Sequence, residues 1–136
     1  MEIVSYEEKY NDSLKELLTM SFPTVDVKKF EKASDGDIEL LCVSNNLVVG
    51  YVVFNKIVDK VRNISYCYAN YVCVHNDYRN QHIATKLLEK AFSICKDEGI
   101  SYIELTTNPT RVEAHELYKK LGFEQRNTDV FRKEIL

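Results

Sequence analysis

The sequence predicts an α/β (α+β) fold built on one mixed, mostly antiparallel sheet, and three observations carry that reading. Three runs rich in β-branched and aromatic residues, Ile38 to Val43, Leu47 to Val58 and Ile64 to Val74, follow one another across short polar turns, as in an antiparallel meander. An apolar stripe at helical spacing then separates the third run from another strand-like run, Ile100 to Thr106. A strand-helix-strand order of this kind needs a crossover, nearly always right-handed, so Tyr71 to Val74 and Tyr102 to Leu105 are expected to lie side by side and parallel. The whole count is six to seven strands and about four helices in a single domain, residues 1-136.

Met1 to Ser5 reads as a short first strand. Leu14, Leu17 and Leu18 recur at helical spacing as far as Phe22, and Pro23 closes that helix because it has no amide hydrogen to offer. A second short helix is expected over Val25 to Lys32. Between the first two meander strands, Asn45-Asn46 has the chemistry of a tight hairpin turn, and Gly50 sits inside the second. Ile83, Leu87, Leu88, Ala91, Ile94 and Cys95 form one face of the main helix, with Gly99 where its C-terminus wants a positive φ. Thr110 and Glu113 make a capping-box pattern for a last helix, which Gly122 closes. Val130 to Ile135 is the final strand, with Phe123 to Arg126 as a further one before it.

A chain of 136 residues suits one compact core and one active site. The formal charge of −3 leaves no basic face of the sort that releases phosphate counterions, so a nucleic-acid partner is not expected. Cys42, Cys67, Cys73 and Cys95 include no Cys-x-x-Cys pair and lie in apolar runs, which fits buried free thiols. Three scattered histidines give no metal-ligand spacing, so no metal is expected. No apolar run is long enough for a membrane span and Glu2, Glu7 and Glu8 are unlike a basic leader, so the expected location is cytoplasmic, with no membrane partner.

The richest stretch is the break between strand and helix, Arg79-Asn80-Gln81-His82-Ile83-Ala84. A strand feeding directly into a helix points unpaired amides and the positive end of the helix dipole at one spot, which is an anion site. Val72-Cys73-Val74-His75-Asn76-Asp77-Tyr78-Arg79, with Asn80 to Ala84, is similar to the strand, turn and Arg/Gln-x-x-Gly-x-Gly/Ala pyrophosphate loop of the GCN5-related N-acetyltransferases (GNAT). A second stretch, Asn108 to Tyr118 followed by Lys119-Lys120-Leu121-Gly122-Phe123, resembles the family's Ala-x-x-x-Tyr-x-x-x-Gly-Phe segment, as Ala114, Tyr118, Gly122 and Phe123. Their order and spacing on the expected elements make the resemblance specific.

The resemblance implies a sheet splayed between its two parallel strands and acetyl-CoA as co-substrate. It also implies an acetyltransferase that acts on a primary amine of a small molecule or peptide by direct attack in a ternary complex. Matched residue by residue, it implies that the amide of Val72 polarises the acetyl carbonyl and Val74 holds the pantetheine arm, with Cys73 between them. Arg79, Asn80, Gln81, His82, Ile83 and Ala84 hold the pyrophosphate largely through main-chain amides, and Tyr118 protonates the departing thiolate, its phenol keeping its proton at neutral pH. Arg111 and Asn108 are further coenzyme contacts, or respectively an exposed first-turn residue and a turn residue before Pro109. A homodimer joined through strands, common in the family, is left open.

Two positions depart from the pattern. Asn80 and His82 stand where the family usually has glycine, which lets a phosphate approach the backbone. His82 either donates a hydrogen bond to a phosphate or shifts the coenzyme. An amine acceptor needs a proton acceptor, for which Tyr68 and Asn70, as holders of water, and Glu104 are candidates. Phe22, Pro23, Thr24, Asp26, the Asn55 to Asn63 hairpin and the last strands are expected to meet the acceptor. Tyr66, Tyr68, Tyr71 and Phe131 either line its pocket or pack in the core. The rival readings are a non-catalytic coenzyme-binding or sensor protein on the same fold, and an acyltransferase with another acyl donor or a hydroxyl acceptor.

Overall fold

The structure is a computed structural model that describes all 136 residues, in two compact units, Met1–Leu105 and Thr106–Leu136. The first unit contains β1 (Glu2–Ser5), α1 (Asn11–Ser21), β2 (Ile38–Ser44), β3 (Leu47–Asp59), β4 (Ile64–Val74), α2 (Ile83–Asp97) and β5 (Ile103–Glu104). Single 3-10 turns lie at Glu8–Tyr10, Val27–Lys29 and Asn76–Tyr78. One sheet in the order β1-β2-β3-β4-β5 is antiparallel throughout except for the parallel pair β4 and β5.

The continuous apolar character of β2 and β3 has a direct cause, because a helix covers each face of the sheet. On one face Leu14, Leu17 and Leu18 of α1 pack with Leu41, Val43, Tyr51 and Val53. On the other, Ile83 and Leu87 of α2 lie over Gly50 and Cys42, and the rings of Phe54 and Phe92 are 6.3 Å apart. Each fully buried leucine in these layers contributes on the order of 2 kcal/mol by area removed from water. The β2-β3 hairpin closes through Asn45 and Asn46 at φ 49° and 65°, the doubly positive turn that matches strand twist.

The second unit holds α3 (Val112–Lys120). Its C-terminus is tied off around Gly122 at φ 95°, where the amides of Gly122 and Phe123 donate to the carbonyls of Lys119 (3.1 Å) and Tyr118 (2.9 Å).

Five strands and three α-helices replace the six to seven and four expected. Val25 to Lys32 forms only the Val27–Lys29 turn, because Val27, Phe30 and Ala33 already reach the α1-side core at three-residue spacing without a continuous helix. Phe123 to Arg126 and Val130 to Ile135 are not strands. An alternating pattern becomes a strand only where a neighbour takes its hydrogen bonds and one face is covered, and Val130, Phe131 and Ile135 are 74%, 93% and 79% exposed. Thr110 does not cap α3, which starts two residues later; its hydroxyl donates to Asn108 Oδ1 at 2.8 Å instead. The parallel ladder joins Cys67 to Ile103 and Tyr68 to Glu104, not Tyr71 to Val74, because β5 is two residues long and ends first.

Candidate active site

The β4 strand carries a bulge. Val53 of β3 pairs with Tyr71 and Phe54 with Ala69, so Asn70 is the extra residue. In an antiparallel ladder, alternate residues turn their N–H and C=O toward the partner. His75 donates to Val49 at 2.8 Å, which assigns His75, Cys73 and Tyr71 to β3 and directs the backbone groups of Val72 and Val74 to the opposite edge. Before the bulge the parity is reversed: Ser65 accepts from Ser101 at 2.8 Å and Cys67 donates to Tyr102 at 3.0 Å, both on the β5 side. Since the β5 ladder stops at Glu104, Val72 and Val74 present their amides along an edge with no strand beside it.

Directly beyond that edge lies the turn into α2. Asn76–Tyr78 makes one 3-10 turn, with His75 Nδ1 accepting from the Asp77 amide at 3.1 Å. His75 is thus a turn residue. Asn80 and His82 both adopt the left-handed region, at φ 63° and 60°. The helix begins when Lys86 donates to the His82 carbonyl at 3.0 Å, which leaves the amides at the start of α2 without intrahelical partners. Ile83 is buried and pins this end to the core, whereas Arg79, Asn80, Gln81 and His82 are exposed and Ala84 is half-buried. Gly50 makes the seat: a Cβ there would come within 2.7 Å of Ile83 Cγ2 and 2.9 Å of Leu87 Cδ1.

Cys73 faces the α1-side core. Burial pushes its thiol up to about 11, against a hydrogen bond with Ser21 and the charge of Arg79, so it holds its proton at neutral pH. Cys95 is pushed up to about 12 by burial and by neighbouring Cys67. All four cysteines are free and buried.

In the second unit, Asn108 organises the entry to α3: its Oδ1 accepts from the Thr110 amide at 2.9 Å and its carbonyl accepts from the Arg111 amide at 3.0 Å. Arg111 stands at the helix N-cap and is exposed. Tyr118 is half-buried, its ring edge-on to Phe123 with centroids 5.6 Å apart. Burial raises its pKa, with the nearby Arg111 charge opposing. The hydroxyl of Thr107 is buried with no hydrogen-bond partner.

The model of the acetyltransferase (GNAT) family matches residues 5–123, through both units. The chain belongs to the GNAT family. An uncharacterized N-acetyltransferase of Methanocaldococcus jannaschii is 29% identical over 93 residues, 68% of this chain and 41% of that protein, so the chain spans well under half the length of this relative. Among solved structures, a probable acetyltransferase superposes with TM-score 0.85 at 17% identity, covering 100% of this chain and 99% of its own. AAC(6')-Iy, in complex with a bisubstrate analogue, CoA-S-monomethyl-acetylneamine, gives TM-score 0.82 at 13% identity, covering 99% and 98%. At such identities these structures establish the fold.

Within this GNAT fold, Val72, Cys73, Val74 and Arg79 to Ala84 gather at the end of β4 and the start of α2, while Asn108, Arg111 and Tyr118 stand together around α3. The aromatic candidates scatter. Tyr66 stacks on Tyr102 at 4.8 Å, Tyr71 meets Phe22 edge-on at 5.1 Å, and Phe131 is exposed. Glu104 is exposed at the end of β5. In the hairpin, Asp59 accepts from the Val61 and Arg62 amides and pairs with the Arg62 side chain at 2.7 Å, so it holds the turn itself. Sequence reasoning named Asn70 and Gly50 without their structural roles and missed Thr107 altogether. Asn70 as a bulge leaves no pattern in a strand that reads as continuous. The role of Gly50 could have been found, since glycine within a strand often marks close approach of another element. Thr107 offers no signal at all.

Proposed function

We propose that this chain transfers an acetyl group from acetyl-CoA to a primary amine of a small molecule or peptide by direct attack in a ternary complex, as one domain over 1-136. The observation that carries the reading is the open β4 edge at Val72 and Val74, directly followed by a turn that holds glycine-like φ at Asn80 and His82 and then opens a helix. Two features of the chain suit acetyl-CoA: that edge for the pantetheine and acyl part, and the α2 start for a pyrophosphate. Bound acetyl-CoA supplies an acyl group already activated as a thioester.

The residues then have distinct tasks. Val72's amide donates to the acyl oxygen, where negative charge grows as the amine attacks; an amide fixed in advance for that position lowers the barrier without reorganising. Val74 orients the arm. Amides from Gln81 to Ala84 and the Arg79 charge hold the anion at the positive end of α2. As the C–S bond breaks, Tyr118 delivers a proton to the departing sulfur, and the proton shed by the amine passes to water, from which the phenol is restored; burial keeps the phenol protonated for that purpose. Cys73 plays no covalent part, since its buried thiol keeps its proton. Four free, buried thiols also suit a reducing compartment such as the cytoplasm.

Calorimetric titration with acetyl-CoA, followed by thiol release over a panel of amines, tests the reading. Micromolar binding with turnover is expected, and Tyr118→Phe should lower kcat about 10²-fold or more with little change in KM. No binding at millimolar acetyl-CoA would overturn the enzyme. Binding without turnover on any amine would favour a sensor, and faster turnover with longer acyl chains another donor.

A further inference from the structure

The bulge at Asn70 decides which amides reach the open edge, and a chain of side chains is tied to it. Asn70 Nδ2 donates to Asn55 Oδ1 at 3.1 Å on the neighbouring strand. Asn55 Nδ2 in turn donates to Asp37 Oδ2 at 3.2 Å, in the segment that leads into β2. Asp37 is itself held by two backbone amides, Lys56 to Oδ1 at 2.7 Å and Ser34 to Oδ2 at 3.1 Å. The direction of the chain follows from its end. An ionised carboxylate only accepts, so Asn55 must turn its NH2 to Asp37 and its oxygen to Asn70, and Asn70 must donate. No step in it can reverse while Asp37 is charged.

We propose that Asp37 and Asn55 are positioning residues, which lock the bulged Asn70 and thereby keep the amides of Val72 and Val74 turned toward the open edge of β4. The inference rests on the acyl-transfer reading of that edge and adds two residues that act through the hydrogen bonds leading to Asn70. Its logic is parity. Were the extra residue absorbed, the regular alternation seen from Ser65 to Ala69 would continue, and Tyr71 and Cys73 would face the open edge while Val72 and Val74 turned to β3. The bulge is held by one side-chain bond on each side of Asn55, and both are lost when Asn55 is truncated.

Amide hydrogen exchange on the protein without ligand reads the lock directly. In the wild type, Tyr71 and Cys73 amides, bonded to β3, should exchange slowly, and Val72 and Val74 at least tenfold faster. Asn55→Ala and Asn55→Asp should both erase or invert this contrast, since aspartate cannot donate to Asp37, whereas Asn55→Gln should keep part of it. Calorimetry supplies the second readout: Asn55→Asp should weaken acetyl-CoA binding about tenfold and leave ADP, which offers a pyrophosphate but no pantetheine arm, unchanged. Equal losses for both ligands, or an unaltered exchange contrast in Asn55→Ala and Asn55→Asp, would overturn the proposal. A wild type that binds no acetyl-CoA would overturn the enzyme reading alone, because the exchange contrast needs no ligand.

Discussion

At the residue scale, Tyr118 offers a measurable titration. Its folded pKa is raised, first by burial, so the folded protein holds a proton that the unfolded chain begins to release near pH 10. The associated stability is complete below that pH and is lost as pH rises through the folded value, the direction set by linkage. Tyr51 adds to the same trend, raised by burial and by its hydrogen bond to Glu39. Urea denaturation from pH 9 to 11 should show stability falling, and Tyr118→Phe should make the fall shallower; an unchanged slope would remove Tyr118 from the account. Single residues were legible unevenly. The sequence displayed His82 and Asn80 as missing glycines, yet it could not show that the backbone keeps glycine's conformation, at about 1 kcal/mol or more for a β-carbon in the left-handed region.

At the element scale, the approach of α2 to the sheet depends on one absent side chain. Gly50→Ala would set a methyl 2.7 Å from Ile83 and 2.9 Å from Leu87, with Cys42 Cβ of the neighbouring strand at 3.3 Å. Overpacking of this kind costs about 1–3 kcal/mol, so the denaturation midpoint should fall accordingly. Because Ile83 is the first residue of α2, the same substitution should weaken acetyl-CoA binding more than a core truncation of equal cost, such as Leu14→Val, on the α1 face. Equal effects would detach the seat from the site. Elements with a strong period and covered faces, α1, α2 and the three meander strands, were legible because burial enforced what their residues prefer. The Val25 to Lys32 and Val130 to Ile135 readings failed because propensity is a statement about a segment and a strand or helix also needs a partner. The open β4 edge was not legible in any local pattern, since it arises from a ladder that stops at Glu104, which nothing in the sequence of either strand announces.

At the scale of the whole molecule, apolar burial is distributed unequally. Every buried hydrophobic residue lies between Tyr10 and Cys95, and Thr106–Leu136 contains none, although that unit carries Asn108, Arg111 and Tyr118. Opening free energies follow buried contact, so the two units should not exchange their amides together. Native-state hydrogen exchange is expected to show β2, β3, β4 and α2 protected to the level of global unfolding, and α3 exchanging through smaller openings, roughly 10²-fold faster or more. If the acyl-transfer reading is correct, saturating acetyl-CoA should slow α3 through Tyr118 and Arg111 as well as the start of α2, because a ligand stabilises whatever state binds it. Protection gained only at α2 would confine the coenzyme to the first unit and strip Tyr118 of its role as acid. Equal protection of α3 and the sheet without ligand would instead mean that the second unit unfolds only with the first.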